Sequence, residues 1–161
     1  ASTKGVFKEM DYQTLLLLAS LFVVIQGITS AGVIDKLAEL LVSLGGGNLF
    51  LMYTVIVFAS VLISAVVDNI PYVLTMLPVV TGVAQAMGVE PYVLYFGLLV
   101  GATLGGNITP IGASANITGI GILRKEGHEV RAKDFMKISV PFTLTAVLSG
   151  YLFIWVFWGW L

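Results

Sequence analysis

Two polar strings interrupt apolar sequence and hold the side chains best suited to chemistry. Asp68 and Asn69 lie in SAVVDNIPYVLTMLPVV (64–80), and Asn107, Thr109, Ser114 and Asn116 lie in GATLGGNITPIGASANITGIG (101–121). Carbonyl and hydroxyl oxygens of these residues, with backbone carbonyls freed at Gly105 and Gly106, are the hard ligands that Na+ prefers. A Na+ at Asp68, Asn69, Asn107 and Asn116 is one such arrangement. The amide and hydroxyl donors equally suit an oxyanion, so the residue types alone leave the bound species open. An ionised aspartate near the bilayer centre costs roughly 2.5–3.5 kcal/mol, so Asp68 calls for a partner, a proton or a cation. Asp68 and Asn69 also suit the cap of a helix beginning at Pro71, or a wet extracellular turn. Thr75, one turn beyond Pro71, faces either the site or its own backbone. Asn107, Thr109, Ser114 and Asn116 would alternatively satisfy a broken helix or hold helices together.

The surroundings of these residues are those of a membrane protein. Of 161 residues, 58% are hydrophobic and 11% charged, and the mean hydropathy is +0.99, too apolar to cover a soluble globule. The formal net charge of −1 gives no basic footprint for nucleic acid. With no cysteine, disulfides and thiolate metal sites are excluded. No phosphate-cradling loop or nucleophile with its base is present, so a non-enzyme without a cofactor is expected, any bound Na+ or H+ being a coupling ion. The opening ASTKGVFKEMDYQ lacks the pattern of a cleavable signal peptide, and its missing initiator Met suggests a processed or excised segment.

The spacing of apolar residues predicts an all-α integral membrane fold in one domain. Residues 12–31 form a transmembrane helix. Residues 33–44 form an amphipathic interfacial helix, with Val33, Ile34, Leu37, Leu40, Leu41 and Leu44 on one face and Asp35, Lys36 and Glu39 on a wet one. Residues 49–87 read as a re-entrant helical hairpin with Asp68 and Asn69 at its tip, Pro71 in the first turn of the second arm, and a further interruption at Thr75 and Pro78. Residues 92–123 read as a broken helix, because an interior with glycines at 97, 101, 105, 106, 112, 119 and 121 and proline at 110 opposes continuity. The first half would end near Gly105 and Gly106, and the second would start between Thr109 and Ser114, giving one partly negative and one partly positive terminus. Gly97, Gly101 and Gly105 match the small-residue pattern of close helix contact. A basic loop, 124–137, precedes a last transmembrane helix, 138–161, anchored by Trp155, Trp158 and Trp160.

Arg124, Lys125, Arg131, Lys133 and Lys137 place that loop in the cytoplasm and the carboxy terminus outside, in agreement with Lys4 and Lys8 before the first helix. The expected location is the plasma (inner) membrane. His128, between Glu126 and Glu129, reads as a solvated loop histidine.

DNIPYVLTMLPVV followed by GGNITPIGASANI, with the basic loop and the FMKISVP approach to the last helix, resembles the ion transporter superfamily, whose domain is citrate-transporter-like. The chain looks most like the branch that groups arsenical pump membrane proteins, NhaD-type sodium/proton antiporters and the melanosomal P protein. The resemblance implies an inverted-repeat architecture in which hairpin tips and helix breaks, here Pro71, Pro110 and Gly112 with their neighbours, form the substrate site. It also implies that the chain holds about half of a site, completed by an amino-terminal repeat or another subunit, in a lipid bilayer and as a homo-oligomer. The implied function is proton-coupled secondary transport by alternating access, of the Na+/H+ antiport or arsenite/antimonite efflux type. The alternatives are a sodium-coupled symporter of di- or tricarboxylates or oxyanions, and a non-transporting scaffold or isolated repeat. The symporters tend to show Ser-Asn-Thr where this chain has Val67, Asp68 and Asn69.

Overall fold

The computed structural model describes residues 12–160, all helix and connecting turns among the described residues. The helices are α1 (Tyr12–Ser30), α2 (Val33–Gly45), α3 (Leu49–Ser64), α4 (Asn69–Met87), α5 (Tyr92–Gly105), α6 (Ser114–Lys125) and α7 (Ala132–Trp158). Lys4 and Lys8, used for orientation above, lie outside the described residues. Among the described residues, α4 and α7 are long and apolar enough to cross a membrane by themselves, and α2 with α3 qualify together, bent by 119°.

That bend follows from local chemistry. Gly46 and Gly47 have φ of 56° and 75°, a left-handed region that glycine enters without a side-chain penalty, and the Asn48 side chain accepts from Leu51 N–H at 3.1 Å to start α3. The apolar surface of α2 is divided. Ile34 and Ala38 are buried, with Ala38 against Gly82 of α4, whereas Val33, Leu40 and Leu44 remain exposed.

The two arms α3 and α4 run out and back. Ser60 and Tyr72 hydrogen-bond near the turn at 3.0 Å, and Leu49 and Gly88 line one cavity at the other end. The second arm differs from the sequence expectation, because α4 continues through Thr75 and Pro78. A proline removes one backbone bond, and here the buried Val79, Val80, Val83 and Ala84 hold the helix together after that loss. Thr75 donates to Pro71 O at 2.8 Å, so its hydroxyl serves its own backbone.

The core lies where α5 meets α3. A Cβ on Gly101 would stand 2.4 Å from Val57 O, and one on Gly105 would stand 2.6 Å from Val61 O. The two backbones therefore touch where only hydrogen fits, the packing that small residues allow between membrane helices. Leu94, Leu98 and Ala102 of α5 fill the space between Tyr53, Val57 and Val61 of α3, Val80 and Val83 of α4, and Val147 and Tyr151 of α7. Tyr53 donates to Tyr151 O at 2.9 Å and stacks on its ring at 5.0 Å.

The basic segment 124–137 is shorter as a loop than its composition suggests. Arg124 and Lys125 close the last turn of α6, where cations suit the partly negative helix end. Asp134 occupies the first turn of α7 and accepts from Arg131 Nε at 3.1 Å, so α7 begins at Ala132. Two of the three tryptophans also pack inward. Trp155 meets Phe50 at 4.7 Å and Trp158 meets Phe96 at 5.6 Å, leaving Trp160 exposed.

Candidate functional site

The chain between α5 and α6, residues 106–113, is non-helical and lies directly on the α3–α4 tip. Gly112 makes this approach feasible: a Cβ there would be 2.7 Å from Ala65 O and 2.9 Å from Ser64 O. Three hydroxyls tie the layers together. Ser64 donates to Ala102 O at 2.6 Å, Thr109 donates to Ala65 O, and Ser139 of α7 donates to Ile108 O at 2.8 Å. Non-helical backbone needs such partners wherever water is excluded. Asn116 provides two more, its amide donating to Gly106 O at 2.9 Å and Thr109 O at 3.0 Å. Gly105 O accepts from Ile108 N–H at 3.0 Å.

Asp68 joins two helix beginnings. Its Oδ1 accepts from Ile70 N–H at 3.1 Å, capping α4. Its Oδ2 accepts from the Ser114 N–H at 3.0 Å and from the Ser114 hydroxyl. Ala113, the residue preceding α6, provides no side-chain cap, so a residue far away in sequence performs that task. Each helix start carries about half a positive charge, and all three contacts donate to the carboxylate, an arrangement suited to its ionised form. Among the described residues, the only ion pair joins Arg131 and Asp134, so the charge on Asp68 is met by helix ends and hydrogen bonds.

The structure thus brings together Asp68, Ser114, Thr109, Asn116, Gly106 and Gly112. It does not bring in every oxygen ligand named from sequence. Asn69 lines a separate cavity of about 240 Å³ with Leu99 and Thr103, and Asn107 lines another of about 500 Å³ with Phe135 and Ile138. Among the described residues, neither hydrogen-bonds to Asp68. Pro71 sits in the first turn of α4, Pro110 lies half-buried in the break, and Gly105 serves the α3 contact. Ser64, Ser60 and Ser139 are site-supporting residues that the sequence reading missed. Ser64 and Ser139 lay within quoted segments, at the start of the 64–80 string and inside FMKISVP, whereas Ser60 carried no signal.

Apolar helices, a helix broken at glycines and a polar tip set against the break describe an all-helical integral membrane protein. A family model described as citrate transporter matches residues 3–161, and the chain belongs to that family. It is 34% identical over 150 residues to an uncharacterized transporter of Mycobacterium tuberculosis, covering 92% of this chain and 35% of that protein. An uncharacterized transporter of Synechocystis is 31% identical over 166 residues, covering 93% of this chain and 37% of the relative. The P protein of Homo sapiens is 30% identical over 158 residues, covering 94% of this chain and 19% of its own length. The chain therefore spans about a third of the length of the first two relatives and less of the third. No solved structure matches it.

Proposed function

We propose that the protein containing this chain is a proton-coupled secondary transporter with alternating access, exchanging Na+ for protons or extruding arsenite or antimonite. The observation that carries this reading is the Asp68 carboxylate, held at the starts of α4 and α6 with no basic side chain paired to it among the described residues. A carboxylate at a helix break can exchange a proton for a cation, and its charge already occupies the place where two helix starts would attract an anion. α3 and α4 act as a re-entrant hairpin entering from outside, with segment 126–131 cytoplasmic. A missing repeat supplies the other half of the site.

The alternative is a sodium-coupled symporter of di- or tricarboxylates or oxyanions, and the family's description, citrate transporter, favours its carboxylate substrate. One reconstitution separates the two: proton movement in proteoliposomes on adding Na+, Li+ or arsenite, for the wild type and Asp68→Asn. Asn can still cap α4 but loses the charge and one acceptor oxygen. Substrate-evoked proton flux is expected to fall at least tenfold, on the order of 1.4 kcal/mol or more in the coupled step. Silence in the wild type, with Na+-dependent citrate uptake that survives Asp68→Asn, would replace antiport with symport.

A further inference from the structure

We infer that the junction of α6 and α7 binds one anionic phospholipid, with its phosphodiester in the loop 126–131 and one acyl chain along α7. The inference rests on the chain's place in a membrane and not on the transport reading. Arg124, His128 and Arg131 line a cavity of about 670 Å³. A tight turn sets its shape: Gly127 has φ of 85°, and His128 N–H donates to Leu123 O at 2.9 Å. Glu129 is the one carboxylate lining this cavity. Asp134 also pairs with Arg131, so the two guanidiniums face two carboxylates, and the positive surplus that a phosphodiester would meet belongs to the wider segment. Asp134 engages Arg131 only through Nε, so the outer N–H groups of that guanidinium make no hydrogen bond among the described residues and suit bidentate phosphate contact. That wider segment sets five basic residues, Arg124, Lys125, Arg131, Lys133 and Lys137, against three acids, Glu126, Glu129 and Asp134.

An apolar track continues from the basic cavity. Glu129 and Val130 line both it and a neighbouring, mostly apolar cavity of about 500 Å³, whose other walls are Asn107, Asp134, Phe135, Ile138, Ser139 and Phe142. Phe142 is shared in turn with a third cavity of about 490 Å³ that reaches Thr145 and Ala146. From Phe135 to Ala146 the helix rises about 16 Å at about 1.5 Å per residue, close to the depth of about 15 Å that half of a bilayer core presents. A headgroup pocket opening onto a track one leaflet long fits a phospholipid better than a soluble anion. Basic pockets between membrane helices are recurrent sites for anionic headgroups, and the basic segment places this one in the leaflet where such lipids concentrate.

The test uses the delipidated full-length protein in detergent and follows its thermal midpoint against phosphatidylglycerol, phosphatidylcholine, inorganic phosphate and glycerol phosphate. Phosphatidylglycerol is expected to raise the midpoint at concentrations where phosphatidylcholine does not. Arg124→Gln with Arg131→Gln should weaken the half-maximal concentration on the order of 25-fold, about fivefold for each arginine. Lys125→Gln, which removes the same charge outside the cavity, should change it less than twofold. Ala146→Trp, which blocks the far end of the track, should weaken phosphatidylglycerol and leave glycerol phosphate unaffected. Equal responses to both lipids, or an unchanged response in the double arginine variant, would overturn the site. Inorganic phosphate matching the lipid would overturn the lipid in favour of a free anion. An unaltered response in Ala146→Trp would overturn the acyl track.

Discussion

The two halves of the broken helix, α5 and α6, are held in opposite ways. In α5, Val93, Leu94, Gly97, Leu98, Gly101, Ala102 and Gly105 are buried, and its glycines bring it into backbone contact with α3. In α6 only Ile120 is buried, while Ile117 and Ile122 are more than half exposed. Polar contacts at its beginning, from Asp68 to Ser114 and from Asn116 to the carbonyls of the break, hold α6 in place. One half is therefore fixed by dispersion over a long seam and the other by a few directional bonds at one end. The second kind of attachment depends on a single charge, that of Asp68.

The largest expected effect lies on the seam. Gly101→Val places a branched side chain where even a Cβ would meet Val57 O at 2.4 Å. The backbone cannot yield as a flexible side chain would, so α3 and α5 must separate and lose the packing of Leu98 and Ala102. We expect a loss of about 3 kcal/mol or more, beyond the usual range for overpacking, read as a collapse of the monodisperse fraction and thermal midpoint in detergent. A midpoint unchanged from wild type would mean that the seam contributes little and would remove one side of the comparison.

A smaller and more local effect is expected at the tip. Asp68→Ala removes the cap of α4 and leaves the Ser114 N–H and hydroxyl without their acceptor. Loss of a cap costs on the order of 1 kcal/mol, and Asp68 caps two helix starts. Hydrogen exchange should accelerate at residues 114–118 and around 69–71, with the amides of α3 and α5 keeping their protection. Uniform loss of protection across α3, α5 and α6 would show that the two halves respond as one unit.

The sequence disclosed one half of this contrast more readily than the other. Gly97, Gly101 and Gly105 fall on one helical face, so close packing is legible from their spacing. The break is legible from Gly105, Gly106 and Pro110, which raise the cost of a continuous helix. Pro78 misled because a proline marks a weak point without reporting whether buried valines around it will hold the helix. The oxygen ligands misled for a related reason. Residue type identifies Asn69 and Asn107 as ligands, but the helical register and the path of the break turn them toward separate cavities. The link between Asp68 and Ser114, far apart in the chain, carries no local pattern at all. It arises from where the α3–α4 turn lands on the start of α6.

The smallest expected effect tests the contrast most cleanly, because the same kind of residue should respond with opposite sign. Gly119 lies in α6 with nothing within 4 Å of the position its Cβ would take. Alanine there meets no obstacle among the described residues and restricts the unfolded chain. Gly119→Ala should therefore stabilise by about 0.5–1 kcal/mol, a slight rise in thermal midpoint with slower hydrogen exchange along α6. Gly101→Ala in the same assay should lower the midpoint, since its Cβ enters the α3 backbone. If Gly119→Ala were instead destabilising in the full-length protein, a segment outside the described residues would have to lie against α6. The second half of the broken helix would then be seated by packing after all, and its attachment could not depend on Asp68 alone.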